Sequence, residues 1–493
     1  MSGRLRLAGL LAVTMALASC APDGVMSPPT SLPQLRDMES SRRVNYPRQT
    51  ILLYNLRRVL DSDLNADARA SSMKVVAAVA EDDTLVLEQL AGVLGNPRTP
   101  QPVRDEVLAF LLSKDYPELA QYVVRVLPNI RGSERLRGLL LEWLARHPTP
   151  AALSEVIKAW AEVPSTNQSA EADFRLVVAR LTAKPWYEAL LEALNAPGFT
   201  ARGSAIEVLS QRVVPVTLKR DLAELSPRTE AVVVLQAFIG QFDCLPASGQ
   251  ELLSMAHIYR KYANMMDEAS ELSVRWRRLD GYHFNIRDYH LLNGLQSDTK
   301  RSAESRAELV AELSRNLLPR RHVRPNAVAE GQEDFSGRFD RLADRLTMAD
   351  LWNLYLLDEM LSRANIQAAI AVMSDEDRAD TRHGLGGLVF LEYGRAQAKL
   401  YPANPLAPPN DLAYTPSSRA LADGRDALCR FSGHFETVRN ADRGGPTKEE
   451  LLDVHYGDYY LLVFTSLSEA SFCAHYVNPD GVIVSLGELP LAR

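Results

Sequence analysis

Cysteine is scarce in this chain, and so are the short motifs that identify common chemistries. Only four of the 493 residues are cysteines, and no two have the Cys-x-x-Cys spacing of a structural zinc site or a redox motif. Glycine-rich phosphate loops, GxSxG nucleophile elbows and HExxH zinc helices are also missing. The 55 lysines and arginines are outnumbered by 62 aspartates and glutamates, which argues against nucleic acid as a partner. After the first twenty residues, no run is long and apolar enough to predict a transmembrane helix.

The first twenty residues carry the clearest signal in the chain. Arg4 and Arg6 precede an apolar run over residues 7–17, and a Leu-Ala-Ser-Cys sequence then ends at Cys20. The positive start and short apolar run are those of a secretory signal. A cysteine directly after small residues resembles the lipobox of bacterial lipoproteins, which implies cleavage before Cys20 and lipidation of its thiol. The alternative, an ordinary signal peptide with an incidental cysteine, is less favoured because all of these features coincide.

This resemblance predicts the cellular location of the protein. Residues 1–19 are the expected signal peptide, and residues 20–45 are the lipidated cysteine with a proline-rich tether. The protein is then expected in the cell envelope, held at the membrane by its N-terminal lipid. Ala21 lacks the aspartate associated with inner-membrane retention in many Gram-negative lipoproteins, so the outer membrane is favoured if the source is Gram-negative.

Residues 46–242 show a helical pattern that repeats. Two interleaved series of amphipathic segments recur roughly every 30–37 residues, with apolar residues at i, i+3, i+4 and i+7. Helix pairs with this period are typical of an α-solenoid, although an irregular helical bundle is the alternative. Residues 103–127 resemble a HEAT repeat, in which Val103-Arg104 opens the first helix and a leucine-rich second helix follows. That resemblance implies an extended surface for a protein or peptide partner.

The remaining sequence predicts two further regions. Residues 249–380 stay helical but lose the period. Residues 382–493 change to short β-branched and aromatic segments between turns, which predicts a separate α+β domain. The expected fold is therefore multidomain: an N-terminal all-α solenoid, a helical middle region and a C-terminal α+β domain.

One group of residues in the α+β region could bind a metal ion. His434 and Glu436 are two apart in a predicted strand, where both side chains would project to the same face. Glu450 lies in the first turn of a helix that Thr447 is predicted to cap. These three side chains could hold zinc and leave a fourth position for water. The simpler alternative is a surface loop with one strand histidine and a few helix-capping acids.

This order of residues resembles the metal motif of the JAMM/MPN metallo-isopeptidase fold, His-x-His followed by Pro-Ser-x-x-Asp. His434 matches the first histidine and Pro446-Thr447 match Pro-Ser, whereas Glu436 and Glu450 replace the second histidine and the aspartate. The resemblance implies an MPN-like fold over about residues 382–490 and, if metal binds, a zinc-dependent peptidase or isopeptidase. The replaced ligands favour a non-catalytic descendant of that fold.

Two further expectations concern this region. The nearest counterpart of the family's general-base glutamate is Glu392, in the opening strand. Cys429 and Cys473 both fall in predicted strands and could form a disulfide in an oxidising compartment, or remain two buried thiols.

Taken together, the sequence predicts a membrane-anchored interaction scaffold, with a lipid-anchored metallohydrolase as the alternative.

The lipidation of Cys20 can be tested by metabolic labelling with palmitate in the bacterial host. We expect label in the wild-type chain and none in Cys20→Ser, because serine lacks the thiol to which the lipid would be attached. Cys244→Ser is the matched control and should keep the label. Equal labelling of Cys20→Ser would contradict the lipoprotein interpretation.

Overall fold

The computed structural model describes residues 28–41, 46–80, 84–96, 98–114, 134–147, 150–296, 303–325, 337–380, 383–408, 414–441 and 444–492. The predicted signal peptide, Cys20 and the predicted helix at 117–127 lie outside the described residues. The chain divides into two compact units. The N-terminal unit runs to Leu218 and includes residues 247–249, and the C-terminal unit comprises residues 219–246 and those from Gln250 onward.

Helices make up the regular structure described in the N-terminal unit. They are α1 (Leu32–Ser41), α2 (Arg48–Leu60), α3 (Ala66–Val79), α4 (Thr84–Gly95), α5 (Gln101–Ser113), α6 (Glu134–Arg146), α7 (Pro150–Ala161), α8 (Gln168–Thr182), α9 (Trp186–Asn195), α10 (Arg202–Arg212) and α11 (Pro215–Glu224), the last of which ends in the C-terminal unit. The first predicted series, at 70–80, 103–113, 133–146, 171–181 and 201–212, corresponds to α3, α5, α6, α8 and α10. Of the second series, the segments at 84–94, 150–163, 184–195 and 217–225 correspond to α4, α7, α9 and α11, and the segment at 117–127 lies outside the described residues.

Side-chain caps fix where several of these helices begin. The Asn65 side chain accepts a hydrogen bond from the Ala68 amide at 2.8 Å, and Asn167 does the same for Ala170 at 3.2 Å. Each cap satisfies an amide that has no partner within its own helix. The turns between helices are thus encoded locally.

Helices of the first series contact one another in order. α3 contacts α5, α5 contacts α6, and α6 contacts α8, whereas α10 contacts α7 and α9. Each helix buries an apolar stripe against its neighbours, as Val103 and Val107 do in α5. The helical region is therefore confirmed, and the HEAT-like repeat within it stays a prediction.

The predicted tether at 20–45 is wrong over its described part, because residues 28–41 are folded. Helix α1 contacts α3, and Leu35 is buried. The side-chain nitrogen of Asn55 donates to the Pro29 carbonyl at 2.9 Å. The prolines suggested an extended chain, but Pro33 occupies the second position of α1, where its missing amide hydrogen costs nothing.

A buried carboxylate joins three helices of the N-terminal unit. Glu171 on α8 accepts from the Trp160 indole at 2.8 Å and from the guanidinium groups of Arg175 at 2.9 Å and Arg212 at 2.7 Å. Arg212, on α10, also donates to the Val163 carbonyl at 2.7 Å. Burial alone would raise the pKa of Glu171, but these donors hold it below its ordinary value. The side chain is therefore an anion that α7, α8 and α10 share.

Glu171→Ala should lower the free energy of unfolding of the N-terminal unit by about 3–5 kcal/mol, because it leaves Arg212 buried without its counter-ion. The matched control is Arg175→Ala, which removes the other arginine and, because that side chain is 43% exposed, should cost only about 1 kcal/mol or less. Urea unfolding followed by tryptophan fluorescence measures both. Equal losses would contradict the assignment.

The C-terminal unit combines helices with a six-stranded sheet. Its elements are α12 (Glu230–Phe242), α13 (Gly249–Tyr262), α14 (Met266–Asp280), α15 (Tyr289–Leu295), α16 (Arg306–Leu317), α17 (Phe339–Leu342), α18 (Met348–Leu361), α19 (Ala364–Ala379), β1 (Gly386–Glu392), β2 (Arg395–Tyr401), α20 (Ser418–Asp423), β3 (Cys429–His434), α21 (Lys448–Gly457), β4 (Leu461–Ser468), β5 (Ser471–Val477) and β6 (Ile483–Pro490). The α+β character predicted for the C-terminal region is confirmed.

The strands lie in the order β2-β1-β3-β4-β5-β6. Neighbouring strands are antiparallel except for β3 and β4, which are parallel. A parallel pair needs a connection that crosses over the sheet, and α21 supplies it. This crossover packs Val454 against Leu461, Val463 and Ile483 on one face of the sheet.

The opposite face of the sheet is covered by the longer helices. α15 contacts β1, α18 contacts β2 and β6, and α19 contacts β3. Gly433 allows the close approach of α19, since a Cβ at this position would lie 2.4 Å from the Met373 side chain. The sheet thus lies between α21 on one face and these helices on the other.

Buried aspartates connect these helices to the strands. At the start of α18, Asp350 accepts from the Tyr476 hydroxyl at 2.7 Å and from the Thr347 amide at 2.8 Å. Asp288 accepts from the hydroxyls of Tyr282 at 2.8 Å and Tyr460 at 2.5 Å. Burial raises the pKa of Asp288 to about 6 in spite of these donors.

No helix in the described part of the chain is long and apolar enough to span a bilayer.

Candidate functional site

Two elements place the predicted site residues. Strand β3 carries Ser432 and His434 two positions apart, so both side chains face α21. In the first turn of α21, Thr447 forms the predicted capping box, in which its hydroxyl accepts from the Glu450 amide at 3.1 Å. The Glu450 carboxylate accepts from the Thr447 amide at 2.8 Å in return. The cap therefore fixes the direction of the Glu450 side chain.

Ser432, His434 and Glu450 meet beneath α21. The Ser432 hydroxyl donates to Oε1 of Glu450 at 2.6 Å, and Nε2 of His434 lies 3.3 Å from the same oxygen. Ser432 and His434 are buried, and the Glu450 side chain is 11% exposed. Three donors from two elements thus surround one carboxylate.

The local electrostatics favour an ion pair. Burial alone would lower the pKa of His434, but the hydrogen bond and charge of Glu450, with two further carboxylates nearby, raise it above its ordinary value. Burial alone would raise the pKa of Glu450, but the hydrogen bond and charge of His434 and the hydroxyl of Ser432 hold it low. Each group therefore favours the charged form of the other, imidazolium for His434 and carboxylate for Glu450.

This arrangement differs from a hydrolytic triad. In a triad the histidine lies between the nucleophile and the acid, so that it can take the nucleophile's proton. Here Glu450 lies between Ser432 and His434, and the serine proton is directed to the carboxylate. The geometry stabilises the contact between β3 and α21 and does not activate the serine.

The predicted metal site with His434, Glu436 and Glu450 is wrong, because Glu436 does not join the other two. Strand β3 ends at His434, so the alternation of side chains does not extend to Glu436. Asn440 donates to the Glu436 carboxylate and, at 3.3 Å, to the His434 carbonyl. Among the residues that the structure describes, no three histidine, cysteine or acidic side chains are arranged to hold a metal ion.

Glu392, the proposed counterpart of a general base, is also remote. Gly386 of β1 pairs with Ser432, and Glu392 lies six residues further along the strand, about 20 Å away. It pairs instead with Arg395 at the β1–β2 turn.

The predicted disulfide between Cys429 and Cys473 is likewise absent. Both are buried free thiols, on β3 and β5, with β4 between them. Strands two apart are separated by about 9–10 Å, which exceeds the reach of a disulfide. The alternative of two buried thiols is the one that the structure contains.

A second group of polar side chains lies on the same face of the sheet. Nε2 of His475 donates to the Val323 carbonyl at 3.0 Å, and Nδ1 lies 3.9 Å from the Cys473 sulfur. Burial lowers the pKa of His475 to about 4 and raises that of Cys473 to about 12. The imidazole is therefore neutral and the thiol is protonated, so this pair offers no thiolate nucleophile.

Two residues of the site were missed at the sequence level. Ser432 shares the face of His434, and its spacing of two could have identified it. Asp377 accepts from the Phe435 amide at 3.0 Å and from the Leu385 amide at 3.1 Å. It lies in a strongly charged helix end, where nothing in the sequence distinguishes it from solvent-exposed acids.

No protein-family model, curated protein or solved structure matches this chain.

His434→Gln should destabilise the C-terminal unit in a pH-dependent way. The pKa of His434 is raised, so its contribution is complete below its ordinary value of 6.5 and is lost as pH rises through the folded-state value. The pKa of Glu450 is lowered, so its contribution is complete above 4.5 and is lost at lower pH. The free energy of unfolding lost in His434→Gln should thus be largest between these values, at about 3–5 kcal/mol, and smaller in alkaline buffer.

Thermal or urea unfolding at pH 5.5 and pH 9 measures this difference. Ser432→Ala is the control, because it removes a donor of Glu450 without a titrating group, and its cost should be the same at both pH values. A cost of His434→Gln that does not change with pH would argue against the ion pair.

Proposed function

We propose that the protein is a lipid-anchored scaffold of the bacterial cell envelope, which binds a protein or peptide partner through its N-terminal unit. The observation that carries the proposal is the ordered contact of α3, α5, α6 and α8. Helices stacked in this manner present a continuous surface of successive outward faces, as repeat proteins do when they bind partners.

The composition of these outward faces supports the proposal. Leu139 on α6 is 42% exposed, and Leu176 on the neighbouring α8 is 50% exposed. Around them α8 exposes charged residues such as Asp173 and Arg175. Apolar side chains within a charged surround are the composition from which protein interfaces are made.

The polar cluster of the C-terminal unit has a structural role. The hydrogen-bonding groups of Ser432, His434 and Glu450 are directed at one another and are buried. This cluster contributes stability to the unit. In this proposal the N-terminal unit provides the partner surface, and the lipid on Cys20 provides the membrane attachment.

The proposal can be tested by site-specific photo-cross-linking in the native bacterium. We expect a discrete cross-linked product when a photoreactive amino acid replaces Leu139 or Leu176, because both lie on the proposed partner surface. Leu452 on α21 is the matched control, since it is 53% exposed but lies in the other unit, and it should give no such product.

Two results would contradict the scaffold. One is the absence of any product from Leu139 and Leu176 under conditions in which the protein is abundant and labelled. The other is the same set of products from Leu139, Leu176 and Leu452, which would indicate random collision.

A further inference from the structure

The first described residues of the chain are fixed to the N-terminal unit, close behind the predicted lipid. The side-chain nitrogen of Asn55 donates to the Pro29 carbonyl at 2.9 Å, and the Ser71 hydroxyl donates to the Thr30 carbonyl at 3.1 Å. Cys20 lies only nine positions before Pro29. Because a fully extended chain of that length spans at most about 32 Å, a lipid on Cys20 would hold this part of the unit near the bilayer surface.

Helix α2 carries two arginines next to this point. Nε of Arg58 donates to the Ser72 hydroxyl at 3.1 Å, and Ser72 adjoins Ser71, which holds Thr30. Arg57 precedes Arg58 on the helix and is exposed. Both arginines therefore lie beside the start of the described chain, within reach of the membrane to which the lipid would attach it.

These two arginines have no acidic partner among the residues that the structure describes. The guanidinium carbon of Arg58 lies 5.9 Å from the centre of the Tyr54 ring. Residues 36–58 contain six arginines and two acids, although acids outnumber lysines and arginines in the chain as a whole. Positive charge is therefore concentrated in the part of the sequence that follows the anchor.

The exposed side of α2 also carries apolar surface. Leu60, one turn after Arg57, is 44% exposed, and Tyr54, one turn before it, is half-buried. Arginine, tyrosine and leucine on one side of a helix are typical of surfaces at the boundary between lipid headgroups and acyl chains. Anionic headgroups would supply the counter-charge that the described residues do not.

We propose that the face of α2 formed by Tyr54, Arg57, Arg58 and Leu60 docks the N-terminal unit on anionic phospholipid headgroups. The inference rests on the lipid anchor of the proposed function, and it adds that contact with the bilayer orients the unit. Charge complementarity selects this occupant, because a short anchor keeps an anionic surface within reach of arginines that lack a counter-ion.

Fluorescence quenching on vesicles tests the docking in the full lipidated chain. A fluorophore is attached to Leu60→Cys in a Cys244→Ser background, in which the remaining thiols of Cys429 and Cys473 are buried. The quencher is a lipid with a spin-labelled headgroup. We expect stronger quenching on vesicles of three parts phosphatidylcholine and one part phosphatidylglycerol than on phosphatidylcholine alone, and molar salt should remove the difference.

Substitutions identify the charges responsible. A basic residue near an anionic leaflet favours the docked state about fivefold, so Arg57→Gln should lower the ratio of docked to undocked chains by about that factor. Arg57→Gln combined with Arg58→Gln should lower it about 30-fold. Arg57→Lys keeps the charge and should behave as the wild type. The matched control is Arg180→Gln, which removes an exposed arginine of α8 and should change nothing.

Three results would overturn the proposal. Recovery of the chain with both kinds of vesicle but equal quenching on them would refute the docking, leave the lipid anchor intact and indicate an acidic protein as the partner of this face. An equal effect of Arg57→Gln and Arg180→Gln would indicate a response to net charge alone. Failure to recover the chain with either kind of vesicle would refute the anchor, and the docking with it.

Discussion

The C-terminal unit depends on buried carboxylates whose hydrogen-bond donors come from distant segments of the chain. Asp350 belongs to a helix, yet its carboxylate accepts a hydrogen bond from the hydroxyl of Tyr476, which lies 126 residues later in the chain. Asp288 depends on Tyr460, 172 residues later. An unpaired charge in such a place costs several kcal/mol, so helices and sheet are each held in the single arrangement that supplies the missing donors. The same rule explains Glu450, whose capping box orients it and whose remaining oxygen needs β3.

Local signals in the sequence predicted much of this architecture. The described helices of both series in the N-terminal unit, the strands of the C-terminal unit and the cap at Thr447 were all readable from periodicity and from residue type. His434 and Glu450 were also expected to lie close together, but as ligands of one metal ion. Each of these features is determined by residues that lie close together in the sequence.

The errors have a common physical cause. Glu436 was placed on the face of His434 by alternation, but alternation holds only while a strand continues, and β3 ends at His434, whose carbonyl accepts from the Asn440 side chain. The pairing of Cys429 with Cys473 depended on strand order, which a sequence alone does not contain. Residues 28–41 were interpreted as free chain from their prolines, although Leu35 had a partner surface elsewhere in the unit.

The parallel pairing of β3 and β4 has a consequence for how the sheet forms. β1 with β2, and β4 with β5 and β6, can each assemble through short turns, because their partners are neighbours in the chain. The parallel pair must wait until the crossover through α21 has closed a loop of about 26 residues between His434 and Leu461. Contacts of such separation are the slow step in forming mixed sheets. The β1–β2 hairpin and the β4–β5–β6 strands are thus separate early structures, and β3 joins them through two longer connections, one of which carries Glu450.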